Sequence, residues 1–131
     1  MLRLQGVRMR PIRTIMVTVS PLLKDLVLQA VAGQAALHVV SVLESRRGLY
    51  KRLPETDAEL VLIALRPDED DAVAAELARL LPKARIVALS YDMKRLWLHK
   101  PGGYRRMIAD ASTRTLVMAI RGDIDRSSAE M

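Results

Sequence analysis

The sequence predicts an α/β domain of three layers, a parallel sheet held between helices. Three observations carry this. Short apolar runs rich in Val, Ile and Leu alternate with amphipathic stretches along the chain. The runs are apolar at nearly every position, as strands covered on both faces must be. The breaks between them hold Pro, Gly, Ser or acidic residues, so each element has its own start and stop. At 131 residues the chain suits one domain.

The first run, Thr14 to Val19, is a strand that stops at Ser20-Pro21. Ser20 can cap the next helix and Pro21 suits its first turn. From Leu22 to Ala32 apolar residues recur at three and four, which predicts an amphipathic helix ending near Gly33. Leu37 to Leu43 is the second strand. Ser45 to Leu53 is short and basic, a helix interrupted by Gly48. Glu59 to Leu65 is the clearest buried strand. Pro67 and the acidic run Asp68 to Asp71 separate it from a strong helix at Ala72 to Leu81. Arg85 to Ser90 is the fourth strand. Met93 to His99 reads as a short helix or as one arm of a hairpin, and Pro101-Gly102-Gly103 is a turn in either case. Tyr104 to Ala109 is the fifth strand, and Ser112 caps a last helix to Ile120. Repeated strand–helix alternation demands right-handed crossovers. Five such units suit a flavodoxin-like sheet in the order 2-1-3-4-5, with a shortened fourth helix. The domain is expected over residues 12–122, between a mobile extension at 1–11 and a polar tail at 123–131.

Composition narrows the chemistry. Without cysteine there is no disulfide, thiolate metal site or cysteine nucleophile. The only aromatics are Tyr50, Tyr91, Trp97 and Tyr104, so the core is aliphatic and stacking platforms for single-stranded nucleic acid are scarce. The net charge of +6 admits an anionic partner, but the basic residues are spread along the chain. No apolar run approaches the roughly 20 residues of a membrane span. Arg3, Arg8 and Arg10 at the N-terminus accompany no apolar segment of signal-peptide type.

Several segments resemble receiver domains of bacterial response regulators. Ile12-Arg13 with Pro21 to Asp25 is similar to their first strand and helix, and Ala58 to Arg66 to their third strand. Ile86 to Ser90 is similar to the fourth strand, and Ala109 to Arg121 to the end of the fifth strand and the last helix. The resemblance implies a cytoplasmic, bacterial regulator. It also implies a site at the strand ends: two acidic residues for Mg²⁺, a phosphoryl-accepting aspartate, a Ser or Thr, and a Lys. Hard cations want carboxylate oxygens, and phosphoryl transfer needs a nucleophile with charge neutralisation. The matching positions here are Thr18 and Val19, Ala64, Ser90 and Ala109. Ser90 alone keeps the pattern, and Arg106 stands where an aromatic switch residue is usual.

Other candidates have plainer readings. Asp68 to Asp71 could hold a cation, but capping of the following helix explains them better. His38 alternates with core positions on the second strand and is expected to be structural rather than a metal ligand, while His99 beside Lys100 is expected at the surface. Ser20 and Ser90 lack a base, and Gly102-Gly103 lacks the spacing of a phosphate loop. No enzyme constellation, metal or cofactor is expected. Basic groups at Arg46, Arg47, Lys51 and Arg52, at Lys94, Arg95 and Lys100, and at Arg105 and Arg106 could meet nucleic acid, or form a solvated edge. The leading expectation is a pseudo-receiver that pairs with itself or another regulator. Trp97, Tyr104, Arg106, Leu116 and Met118 are its candidate interface, with Trp97 an anchor if exposed. Weakly specific nucleic-acid binding and small-ligand sensing in the strand-end crevice are the alternatives.

Overall fold

The computed structural model describes residues 10–33, 36–52 and 56–122. The extension at 1–9 and the tail at 123–131 lie outside the described residues. Strand β1 is Ile12–Val17, α1 Pro21–Val31, β2 Leu37–Leu43, α2 Arg46–Arg52 and β3 Leu60–Ala64. They are succeeded by α3 Asp71–Leu80, β4 Arg85–Leu89, β5 Leu96–Lys100, β6 Tyr104–Ile108 and α4 Thr113–Arg121.

Among the described residues six strands form one sheet in the order β2-β1-β3-β4-β5-β6. The first four pair in parallel, as expected, but β5 runs antiparallel to both β4 and β6. The five-stranded, all-parallel sheet is therefore corrected to a mixed sheet of six. The shortened fourth helix is corrected as well: Leu96–Lys100 forms the hairpin arm. The cause is its pattern. Leu96 and Leu98 bury on one face, Trp97 and His99 on the other, so strand alternation finds a core on both sides.

The first strand begins and ends two residues earlier than its hydrophobicity predicts. Thr18 adopts a left-handed conformation, φ 55°, which ends the ladder at Val17. On β2 an irregularity opposite Thr14 and Ile15 of β1 skips Val40 and reverses the facing of Ser41 to Leu43.

Two cores result. Helices α1 and α4 cover one face through Val27, Val31, Leu116, Val117 and Ile120, over Met16, Leu62, Val87 and Leu98. On the other face Leu49 of α2 and Ala74 and Leu77 of α3 pack on Ile15, Ile63, Ile86 and Trp97. Local chemistry sets the helix ends. Ser20 accepts the Leu23 N–H with Pro21 behind it, and Asp70 accepts that of Ala72. Ser112 and Thr115 form a reciprocal capping box, and Gly122 closes α4 at φ 87°. Arg85 donates to the Ile120 carbonyl, and Lys100 Nζ reaches the Gly122 carbonyl at 3.2 Å. Two cations thus hold the negative end of α4.

Helix α2 is the least favoured element by its own sequence. It has no acidic residue in its first turn and carries Gly48 inside. Gly48 does not use positive φ, and the nearest side-chain atoms to a methyl there, from Leu43 and Ser45, lie at an ordinary 3.8–4.0 Å. Gly48→Ala is expected to stabilise the protein by about 0.5–1 kcal/mol, read from the midpoint of urea unfolding at unchanged slope.

Candidate functional site

The carboxyl ends of β1, β3 and β4 meet where a receiver would hold its acidic cluster. Thr18 comes directly after β1. Its amide bonds the Leu43 carbonyl of β2 at 2.7 Å, and its hydroxyl lies 2.6 Å from the carbonyls of both Val17 and Ala64. The proton of that hydroxyl is committed to backbone carbonyls, so Thr18 ties β1 to the end of β3. Val19 is buried in the α1–α4 core. Ala64 is half-buried and presents a methyl group to the crevice.

Ser90 ends β4 and is consumed by the β4–β5 connection. Its hydroxyl donates to Asp92 Oδ1 at 2.6 Å and accepts the Arg95 N–H at 3.0 Å. Asp92 Oδ1 also accepts the Lys94 N–H, and Met93 donates to the Ser90 carbonyl. Met93 turns the chain with φ 63°. The Ser90 hydroxyl bond and the Lys94 amide hold the Asp92 carboxyl below its ordinary range. A serine and an aspartate two apart at a strand end are a turn signal that the sequence carries.

Ala109 is separated from this group. β5 lies between β4 and β6, so the residue after β6 stands two strand spacings, about 10 Å, from β4. The strand-end group thus unites Thr18, Ala64 and Ser90 and leaves Ala109 outside. The three non-glycine residues at positive φ among those described, Thr18, Met93 and Asp110, all sit on this edge.

The acidic run is absorbed locally. Glu69 accepts the Arg66 N–H at 2.7 Å, Asp70 caps α3, and Asp71 Oδ1 accepts from His99 Nε2 at 2.7 Å. The expectation for His99 is corrected: it is 6% exposed beneath α3, whereas His38 is exposed on β2. Trp97 is 7% exposed in the α3-side core, with Arg95 5.4 Å from its ring centroid. It therefore does not meet the condition for an interface anchor. Its strand alternation, once β5 is recognised, accounts for this. Leu116 is buried in the opposite core, where Tyr104 and Met118 pack half-buried, and Arg106 is half-exposed on β6. The five candidate interface residues do not form one face, since Trp97 is on the other side of the sheet from Leu116.

No protein-family model matches the chain, and a search among curated proteins returns no match. Solved structures do resemble it. One is an RcsB response regulator of Salmonella typhimurium, described for its conformational dynamism for DNA interaction. It is 18% identical, with a TM-score of 0.51, over 63% of this chain and 44% of that one. Another, two RcsB dimers bound to two parallel DNAs, is 17% identical with a TM-score of 0.50, over 62% and 45%. These likenesses show the fold, a receiver-like α/β architecture here carrying an extra antiparallel strand. The matched region spans less than half the length of either RcsB chain. Among the described residues no helix is long and apolar enough to cross a membrane.

Thr18→Val removes the cross-strand bond while keeping the branched shape, and should cost about 1–2 kcal/mol in urea unfolding. Thr18→Gly loses the same bond but relieves the left-handed strain of about 1–2 kcal/mol, so it should lie nearer the parent. Asp92 has a lowered folded pKa, so its stabilisation is present above the ordinary carboxylate range. It is lost as pH falls through the lowered value. Asp92→Asn should flatten this part of the acid dependence of stability, measured by thermal melts between neutral and acid pH.

Proposed function

We propose that this chain is a receiver-like module that takes no phosphoryl group and acts without catalysis. It would work by contact with a protein, a second copy or another regulator, in signalling or transcriptional regulation. The observation that carries the reading is the Thr18–Ala64 hydrogen bond. A hydroxyl whose proton is given to a backbone carbonyl offers a divalent cation nothing comparable to two carboxylates. A methyl group cannot accept phosphorus. The nearby carboxylate, Asp92, is turned to Ser90 and the Lys94 amide.

Retention of the scaffold without the site favours a binding role. Tyr104, Arg106 and Met118 remain partly accessible on the α4 side of the sheet. Strand β6 ends the sheet, with Arg105 and Met107 exposed. The RcsB proteins of similar fold are described as dimers and with DNA, which supports the same two partner classes as proposals here. Nucleic acid is the second reading, favoured by four cations within the seven residues of α2.

Two measurements test this. Beryllofluoride with Mg²⁺ is expected to leave the melting temperature unchanged, and a specific stabilisation would sink the unphosphorylated reading. Light scattering at low and moderate salt should show a dimer indifferent to a short DNA duplex. A monomer that forms a salt-sensitive complex with the duplex would transfer the function to the basic helix.

A further inference from the structure

In open α/β sheets, ligands sit outside the carboxyl ends of the strands, where successive connections leave in opposite directions. In this sheet that point lies between β1 and β3, since β2 lies beyond β1 on one side and β4 beyond β3 on the other. A cleft of 370 Å³ opens there, lined by Thr18, Ala64, Arg66 and Tyr91 among others. Along the shared wall of Leu23, Leu26, Leu89 and Met93 it adjoins a second cleft of 530 Å³, between α1 and the start of α4. Each falls in the range of small-molecule sites, about 300–1,000 Å³.

The width of the sheet explains the opening. Six strands place the outermost axes about 24 Å apart, and two helices about 10 Å across do not cover that span. Large apolar side chains consequently stay in contact with water at the rim: Leu22 is 70% and Tyr91 71% exposed, and Leu26 and Met93 are near half. Patches of this kind on a folded chain mark binding surfaces. Thr18 and Met93, which line the cleft, are also held in left-handed backbone that neither residue type favours.

The polar inventory is short. Among the described residues Arg66 is the one charged group lining either cleft, and its guanidinium makes no hydrogen bond or ion pair with any of them. The Ser20 oxygen accepts the Leu23 N–H, which leaves its proton to donate. An extended peptide would bring a row of backbone donors and acceptors that so apolar a lining cannot satisfy. We propose that the two clefts form one trough that binds a small amphiphile, an apolar body with a single anionic head placed at Arg66 and Ser20. This is a function separate from the protein contact proposed above.

The test is calorimetric titration of the full chain with decanoate and decyltrimethylammonium below their micelle concentrations and with decanol below its solubility limit. Decanoate should bind saturably, one per chain and about tenfold tighter than decanol, with the cation weakest. Arg66→Gln should bring decanoate to the affinity of decanol and leave decanol unchanged. Leu26→Gln, a change at an exposed position, should weaken both. Equal affinity for all three heads, or a preference for decanoate that survives Arg66→Gln, overturns the proposal. So does the absence of saturable binding. Self-association that Leu26→Gln abolishes, without decanoate binding, also overturns it, by giving the trough to a second copy.

Discussion

The antiparallel ladder between β4 and β5 is the constraint on which the rest of this structure depends. Ile86 to Leu89 pair with His99 to Leu96, and Leu96 to Lys100 then pair with Ile108 to Tyr104. Because β5 occupies the place beside β4, the last strand moves one position outward. That shift removes Ala109 from the strand-end group, buries Trp97 and His99 beneath α3, and widens the sheet beyond its helices. A hairpin needs only a tight turn where a parallel crossover needs a helix. The Ser90 to Arg95 turn supplies it between β4 and β5, and Pro101-Gly102-Gly103 between β5 and β6, with both glycines at positive φ.

At the strand ends, hydrogen-bonding capacity is spent on the chain itself. The hydroxyls of Thr18 and Ser90 and the carboxylates of Glu69, Asp70 and Asp92 all serve backbone or neighbouring side chains. Here they stiffen the edge, and the surface beside them that faces solvent is aliphatic. The same scaffold thereby exchanges a hydrophilic crevice for a greasy one, with Arg66 at its border.

Much of this is legible in the sequence, for identifiable reasons. Strands β1, β3 and β4 carry apolar runs that two-sided burial explains, and Ser20, Pro21 and Ser112 announce helix starts. The substituted positions Thr18 and Ala64 come together with the retained Ser90 as the order of elements requires. Met93 to His99 is ambiguous because its apolar spacing fits a short helix and a strand alike. The ambiguity spreads to Trp97 and Ala109, whose surroundings depend on it. His99 escapes with them. It is buried because β5 carries it beneath α3, where Asp71, far away in sequence, accepts its hydrogen bond at 2.7 Å, and no local pattern encodes that contact. The pairing is stabilising because the carboxylate accepts the proton that the buried imidazole must donate.

Helix α4 touches both margins of the sheet. Its first turn, at Ser112 and Thr113, forms part of the wall of the larger cleft. Its far end is gripped by Arg85 and Lys100 at the opposite margin. No glycine or proline interrupts the nine residues between. The helix is therefore a rigid strut of about 13 Å. A tilt imposed where it starts would have to strain the Arg85 and Lys100 contacts at its other end.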